Sequence, residues 1–310
     1  MLKPRALRSG DRIALVAPAS SCARDAFDAG VDELRRLGYE PVYDDAVFAR
    51  DRYTAGDAAL RAAAFRRAWS DPSIAALIAV RGGYGSVQIL PLLDPADIRK
   101  TPKAFVGYSD NTSVLVWLSE RCGVVSFHGP MIEGRLAKGE AAYDRDTFVR
   151  VLTRADPPGR ITHPQVVALR AGDASGTLSG GTLTQLVASL GTPYAFNPPP
   201  GHVLFIDEVG ERPYRIDRML TQLRLSGILG RASALVFGEM PRCDEPGDPG
   251  LAIKNALIDM LRDFSGPVLF GLPSGHTSGA SMTLPLGVRA RVVSAPDPAV
   301  IIEEAAVAPA

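Results

Sequence analysis

The stretch Ala104-Phe105-Val106-Gly107-Tyr108-Ser109-Asp110-Asn111-Thr112 decides how the chain reads as a fold. A short apolar run ends at Gly107, and a helical pattern begins near Asn111 and carries Val114 and Leu118. An apolar strand that turns tightly into a helix is the repeating join of an α/β sheet. Ser109 stands in that turn, at the carboxyl end of the strand, where α/β enzymes commonly present a nucleophile. The helix start offers free N–H groups and positive potential to a developing oxyanion. The spacing is not G-x-S-x-G, because Asn111 takes the place of the last glycine. Ser and Asp are also favoured helix caps. The residues alone therefore leave Ser109 and Asp110 open between chemistry and capping.

The neighbouring sequence repeats the same alternation. Residues 13–17 form a short apolar run suited to a strand buried on both faces. Phe27, Val31 and Leu34 then recur at helical spacing, with Gly38 as the stop. Residues 41–43 suggest a second strand, and the Ala-rich residues 56–69 a helix. A third strand, 74–80, runs straight into Arg81-Gly82-Gly83-Tyr84-Gly85. Ala104–Gly107 is the fourth strand, followed by a helix ending near Gly123, and 124–127 the fifth. Strands alternating with helices imply βαβ units and a mainly parallel sheet.

Charge, Gly and Pro rise after residue 133, and Pro157-Pro158-Gly159 is a strong breaker. The expected organisation is an N-terminal α/β domain over 1–135, a linker region over 136–175 and a C-terminal domain over 176–310. In that second half, Leu183, Leu186, Val187 and Leu190 share a helical face, as do Ile216, Met219, Leu220 and Leu223. Strands are expected at 202–206, 234–237 and 268–270. Val288, Ala290 and Val292 alternate with Arg289 and Arg291, as in a half-exposed strand. The Ala-rich end, 304–310, is expected to fray.

The bulk properties narrow the function classes. The chain has 310 residues, about two domains' worth. With 46% hydrophobic and 22% charged residues it can bury a sizeable core. Its 34 basic and 34 acidic residues cancel, so no basic excess points to nucleic acid or a membrane surface. No apolar run reaches the ~18–20 residues that span a bilayer. Lys3, Arg5 and Arg8 precede an apolar stretch, but it is shorter than the ~7–15 residues of a secretory core, so no signal peptide is expected. Cys22, Cys122 and Cys243 are odd in number and far apart, which suits a reducing cytoplasm better than a disulfide framework.

Four histidines limit the choice of a base for Ser109. His163 lies in the expected linker and His202 at a strand start, both structural positions. His128 and His276 each lie in or next to a loop just past a strand, and the residues do not separate them. Carboxylates stand at a strand end in Asp207-Glu208, where neighbouring side chains point to opposite faces. At most one of the two can therefore face a given His; capping or ion pairing with Arg212, Arg215 or Arg218 suits the other. Gly82 and Gly83 allow close backbone approach to a ligand, but neither phosphate-loop pattern is present. No zinc-protease motif exists, and no metal or cofactor is expected.

Taken in order, these segments resemble the LD-carboxypeptidase family of serine peptidases, which includes the microcin C immunity hydrolases. The resemblance is carried by Gly10-Asp11-Arg12-Ile13 with Ala17-Pro18-Ala19-Ser20, by Arg81-Gly82-Gly83-Tyr84-Gly85, by Gly107-Tyr108-Ser109-Asp110 and by Gly129-Pro130-Met131. It continues through Leu178-Ser179-Gly180-Gly181-Thr182-Leu183, Asp207-Glu208-Val209-Gly210-Glu211, Tyr214-Arg215-Ile216-Asp217-Arg218, His276-Thr277 and Leu284-Pro285-Leu286-Gly287. It implies a flavodoxin-like N-terminal sheet domain joined to a mixed, β-rich C-terminal α/β domain, usually in a homodimer.

The resemblance also implies a triad of Ser109, an acid and His276, deciding the histidine choice against His128. The family usually has Glu at the first acidic position, where this chain has Asp207. Asp207 is the favoured acid and Glu208 the alternative. Backbone N–H groups of Asp110 and of the Gly82-Gly83 loop would hold the oxyanion. The implied substrate is a small peptide, a murein tetrapeptide losing its terminal D-Ala during cytoplasmic recycling. An acyl-sulfamoyl-adenylate amide is the family alternative. A non-catalytic ligand binder using the glycine loop is the alternative from another class.

Overall fold

A computed structural model describes residues 1–248 and 252–310 and builds them on two β-sheets. The first half supplies β1 (Arg12–Val16), β2 (Glu40–Val42), β3 (Ile74–Ala79), β4 (Ala104–Gly107) and β5 (Ser126–His128). Between them lie α1 (Arg24–Arg36), α2 (Ala58–Ser70), α3 (Pro95–Lys100) and α4 (Thr112–Val116). Phe27, Val31 and Leu34 are the buried stripe of α1. Asp57 starts α2, its carboxylate accepting the Leu60 N–H at 2.7 Å. The strands are parallel and lie side by side in the order β2, β1, β3, β4, β5. That order reverses between β1 and β3. In open α/β sheets of this order, ligands bind outside the carboxyl ends of the strands at such a switch point.

The second half adds α5 (Arg145–Thr153), β6 (Gly159–Ile161), β7 (Val167–Arg170), β8 (Asp173–Thr182), α6 (Leu183–Ala188), β9 (Val203–Asp207), α7 (Pro213–Leu225) and β10 (Ala234–Gly238). It closes with α8 (Ile253–Met260), β11 (Val268–Leu272), β12 (Leu284–Leu286), β13 (Arg289–Val293) and β14 (Ala299–Ile302). The second sheet runs β6-β14-β13-β8-β9-β10-β11-β7, with β8 to β11 parallel and antiparallel strands on both flanks. This is the mixed α/β architecture expected, a parallel sheet followed by a β-rich mixed one. β12 does not join that sheet. It pairs antiparallel with β5, placing Leu284 opposite His128 at the edge of the first sheet. The loop between β11 and β12 therefore passes from one sheet to the other.

Three local expectations need correction. The residues after 133, read as a plain passage, hold α5 and two strands at the borders of the second sheet. The fifth strand starts two residues later than 124, because the Val124 and Val125 N–H groups donate to Leu118 and Leu2 carbonyls instead. The C-terminal residues do not fray: Ala306 and Val307 are buried, and Ala308 exchanges backbone hydrogen bonds with Pro4 and Ala6 at 2.8 Å.

Candidate active site

β4 ends in Gly107 because a side chain there would press on the following helix; a Cβ would lie 3.0 Å from that of Asn111. The chain then turns so sharply that Ser109 has φ +62°. Such a conformation costs a non-glycine residue about 1–3 kcal/mol and is held only by its surroundings. One neighbour is Gly82, after β3. A Cβ on Gly82 would sit 2.9 Å from Ser109 Cβ and 3.1 Å from Oγ. The two loops can approach this closely only with glycine there.

Side chains lock the glycine loop. Asn111 Nδ2 donates to the Arg81 carbonyl at 3.0 Å, and the Ser20 N–H donates to the Gly82 carbonyl at 3.2 Å. The Asp110 carboxylate turns away from Ser109 and accepts the Ser86 N–H at 2.8 Å; burial pushes its pKa up. The buried Arg61 donates to the Gly85 carbonyl at 2.7 Å and to Gln88 at 2.5 Å. Among the described residues, neither the Asp110 N–H nor the Gly83 N–H donates to another backbone carbonyl.

On the second sheet, β9 delivers Asp207, fully buried, to the loop between β11 and β12. Its Oδ2 lies 2.7 Å from His276 Nδ1, and its Oδ1 accepts the His276 backbone N–H at 3.0 Å. The loop needs Gly275 beside the pair, since a Cβ there would lie 2.5 Å from Asp207 Oδ2. Burial by itself lowers the His276 pKa, but the Asp207 charge and hydrogen bond outweigh it, with a smaller push from Glu208, and the pKa is raised. A proton on Nδ1 shared with Asp207 leaves Nε2 as the acceptor.

Glu208 takes the opposite direction. Its carboxylate accepts the Thr184 N–H at 2.8 Å, the Thr184 hydroxyl at 2.7 Å and the Val209 N–H at 2.9 Å. It caps the start of α6 and makes no hydrogen bond to His276. His128 lies beneath the site, completely buried, with Nδ1 2.9 Å from Ser274 Oγ. Desolvation lowers its pKa to about 4, so it stays neutral.

The structure therefore joins His276 to Asp207 and packs Gly82 against Ser109, while Glu208 hydrogen-bonds to Thr184 and Val209 and His128 is sealed by burial. The Tyr108 ring links the two sides, standing edge-on to the His276 ring at 5.2 Å. No hydrogen bond joins Ser109 to His276 among the described residues. Sequence reading missed Arg135 and Glu239. Arg135 donates to the Gly275, Thr277 and Gly279 carbonyls, and Glu239 accepts the Thr277 hydroxyl and, at 2.9 Å, the Ser278 N–H. No sequence pattern marks either residue, because their partners lie far along the chain.

Fold and site together define a two-sheet α/β protein with a serine after β4, an aspartate at the end of β9 and, bound to that aspartate, a histidine after β11. The chain belongs to the LD-carboxypeptidase family: residues 13–129 match its N-terminal domain and residues 175–292 its C-terminal domain. A putative carboxypeptidase of Streptomyces coelicolor is 36% identical over 304 residues, covering 94% of this chain and 93% of that protein. A murein tetrapeptide carboxypeptidase of Pseudomonas aeruginosa is 32% identical over 276 residues, covering 86% and 88%. Among solved structures, a muramoyltetrapeptide carboxypeptidase from Oxalobacter formigenes superposes with a TM-score of 0.82 at 33% identity, covering 94% and 97%. The microcin C7 self-immunity protein in complex with aspartyl sulfamoyl adenosine superposes at 0.92 with 25% identity, covering 99% and 100%.

Proposed function

We propose that this protein is a serine carboxypeptidase that releases terminal D-Ala from murein tetrapeptides, cutting the L,D bond after meso-diaminopimelate or L-Lys. The observation that carries this reading is the Asp207–His276 pair beside the ring of Tyr108, the residue directly before the strained Ser109. Family membership and the names of the relatives support the substrate class.

The steps follow from the geometry. His276 Nε2 takes the Ser109 hydroxyl proton as Oγ attacks the scissile carbonyl. Asp207 holds the ring by Nδ1 and stabilises the imidazolium that forms. The N–H groups of Asp110 and of the Gly82-Gly83 loop receive the oxyanion; one such donor is typically worth roughly 10²–10³ in turnover. His276 then protonates the departing D-Ala nitrogen. Water, deprotonated by the same His, hydrolyses the acyl-enzyme to the tripeptide. The proposal includes cytoplasmic murein recycling, a homodimer, and a division in which residues 1–135 bear the nucleophile and 176–310 the acid and base.

One observation favours a second reading, hydrolysis of an acyl-sulfamoyl-adenylate amide. Tyr53 and Tyr84 are exposed and stand edge-to-face at 5.4 Å. Ser20 ties both to the glycine loop, donating to the Tyr53 carbonyl at 2.6 Å and accepting the Tyr84 N–H at 3.2 Å. Such a pair can stack a nucleobase. Competition separates the readings. Purified protein is given equal amounts of a muropeptide tetrapeptide and aspartyl sulfamoyl adenosine, and both products are quantified. Preferential D-Ala release supports the carboxypeptidase; preferential release of aspartate replaces it with the second reading.

A further inference from the structure

Arg135 is only 9% exposed, yet it belongs to no strand or helix of either sheet. An arginine presents five donors in a rigid planar fork, and burying its charge is costly unless those donors are used. Here Nη2 donates to the Gly275 carbonyl at 2.7 Å and to the Thr277 carbonyl at 3.0 Å. Those residues flank His276 on both sides. Nη1 donates to the Gly279 carbonyl at 3.0 Å and to the Ala142 carbonyl at 3.1 Å. The guanidinium also lies 5.9 Å from the centre of the Tyr108 ring, and Tyr108 directly precedes Ser109. One side chain thus bears on both halves of the reacting pair.

The geometry points to Arg135 as the positioning residue that sets the approach of His276 to Ser109. It does so by gripping the base's loop on either side and bearing on the residue before the nucleophile. This rests on Ser109 and His276 being the reacting pair. The loop it grips passes from the second sheet to the first, and Arg135 shares its anchoring with Asp207 at His276, Glu239 at Ser278 and Ser281 at Gly275. Lysine keeps the charge, but a single ammonium lacks the fork that reaches carbonyls at both ends of the loop.

The charge leaves a second signature. Asp207 and, less strongly, Glu208 favour the protonated form of His276 and Arg135 opposes it; the Tyr108 ring and the neutral, buried His128 are also packed nearby. Removing the Arg135 charge makes His276 harder to deprotonate. The acid limb of any reaction that needs neutral His276 then moves to higher pH.

A serine-directed fluorophosphonate tests this without depending on the substrate. Labelling rates at Ser109 are measured against pH for the parent, R135Q and R135K, alongside kcat and KM for D-Ala release. R135Q is expected to label roughly 100-fold more slowly, the usual cost of about 1 Å of misplacement. Its acid limb should move up, and kcat should fall far more than KM. R135K is expected to fall between, with its limb near the parent's. A merely structural role lowers the folded fraction and leaves the limb in place. A folded R135Q with the parent's rate and limb overturns the inference. So does slowing with an unmoved limb that R135K does not relieve. If R135Q does not fold, R135K decides, and parent-like labelling by it overturns the inference. A parent left unlabelled at Ser109 overturns the triad reading itself, and the inference with it.

Discussion

The two walls of the candidate site are built by different means. On the first sheet, Ser109 is placed by backbone: a left-handed turn, a glycine at the strand end and a second glycine facing it. On the second sheet, His276 is placed by side chains: Asp207, Arg135 and Glu239 each bind its loop through charge-assisted hydrogen bonds. The nucleophile must sit in a fixed turn against free N–H groups, which a rigid strand–turn–helix join supplies. The base must hold one ring orientation on a long loop between sheets, which needs polar anchors.

The contrast is sharpest at Asp207 and Glu208, adjacent residues with opposite tasks. Asp207→Asn keeps the size but offers an amide to Nδ1, favouring the wrong tautomer. It is expected to lower kcat by roughly 10⁴. Glu208→Gln still accepts the Thr184 N–H and should change turnover by less than about tenfold. It should instead lower the midpoint of thermal unfolding by a few degrees, the usual cost of weakening a cap. Steady-state D-Ala release and thermal melts of both variants check this. Equal losses of activity would erase the distinction between the two acids.

The backbone wall breaks differently. Gly82→Ala forces a methyl against Ser109 and is expected to cost roughly 10²–10³ in kcat, comparable to an oxyanion donor. The forced shift should also cost about 1–3 kcal/mol of stability, as overpacking does. Kinetics and a melting curve on the same sample separate the two effects.

A smaller effect reports on how the walls are joined. Glu120, from the π-helical segment Trp117–Arg121 that continues α4, accepts the Asn197 N–H at 2.8 Å and the Ser179 hydroxyl at 3.3 Å, both from the second half. Burial raises its pKa to about 7. The unfolded chain, with an ordinary value of about 4.3, binds fewer protons than the folded chain between those values. Stability from this group is therefore lost as pH rises through that window. Glu120→Gln should flatten the fall in melting temperature between pH 5 and pH 8. An unchanged slope would place the pH dependence elsewhere.

The same contrast explains what could be read from the chain. Ser109's turn is a local pattern, a strand, a glycine and a helix start within a few residues. The parallel direction of β1 to β5 likewise follows from alternation along the sequence, but their side-by-side order does not. Asp207 and Glu208 could be separated only by the rule that neighbours point to opposite faces, which says nothing of which one meets His276. Choosing between His128 and His276 needed the family resemblance; in the structure, burial seals His128 against Ser274. Arg135 and Glu239 left no mark, because their carbonyl and N–H partners are 140 and 39 residues away. β6 and β7 were hidden by their shortness, three and four residues, which suits strands at a sheet's border.

The central claim is that the backbone-held serine and the side-chain-held histidine form one catalytic device. Its most direct test is mass-spectrometric product analysis of a muropeptide tetrapeptide incubated with the parent protein and with Ser109→Ala. Release of tripeptide and D-Ala by the parent, with a loss of at least roughly 10⁴ in the variant, is the expected result. Release at similar rates by both proteins would contradict it and remove Ser109 from the reaction.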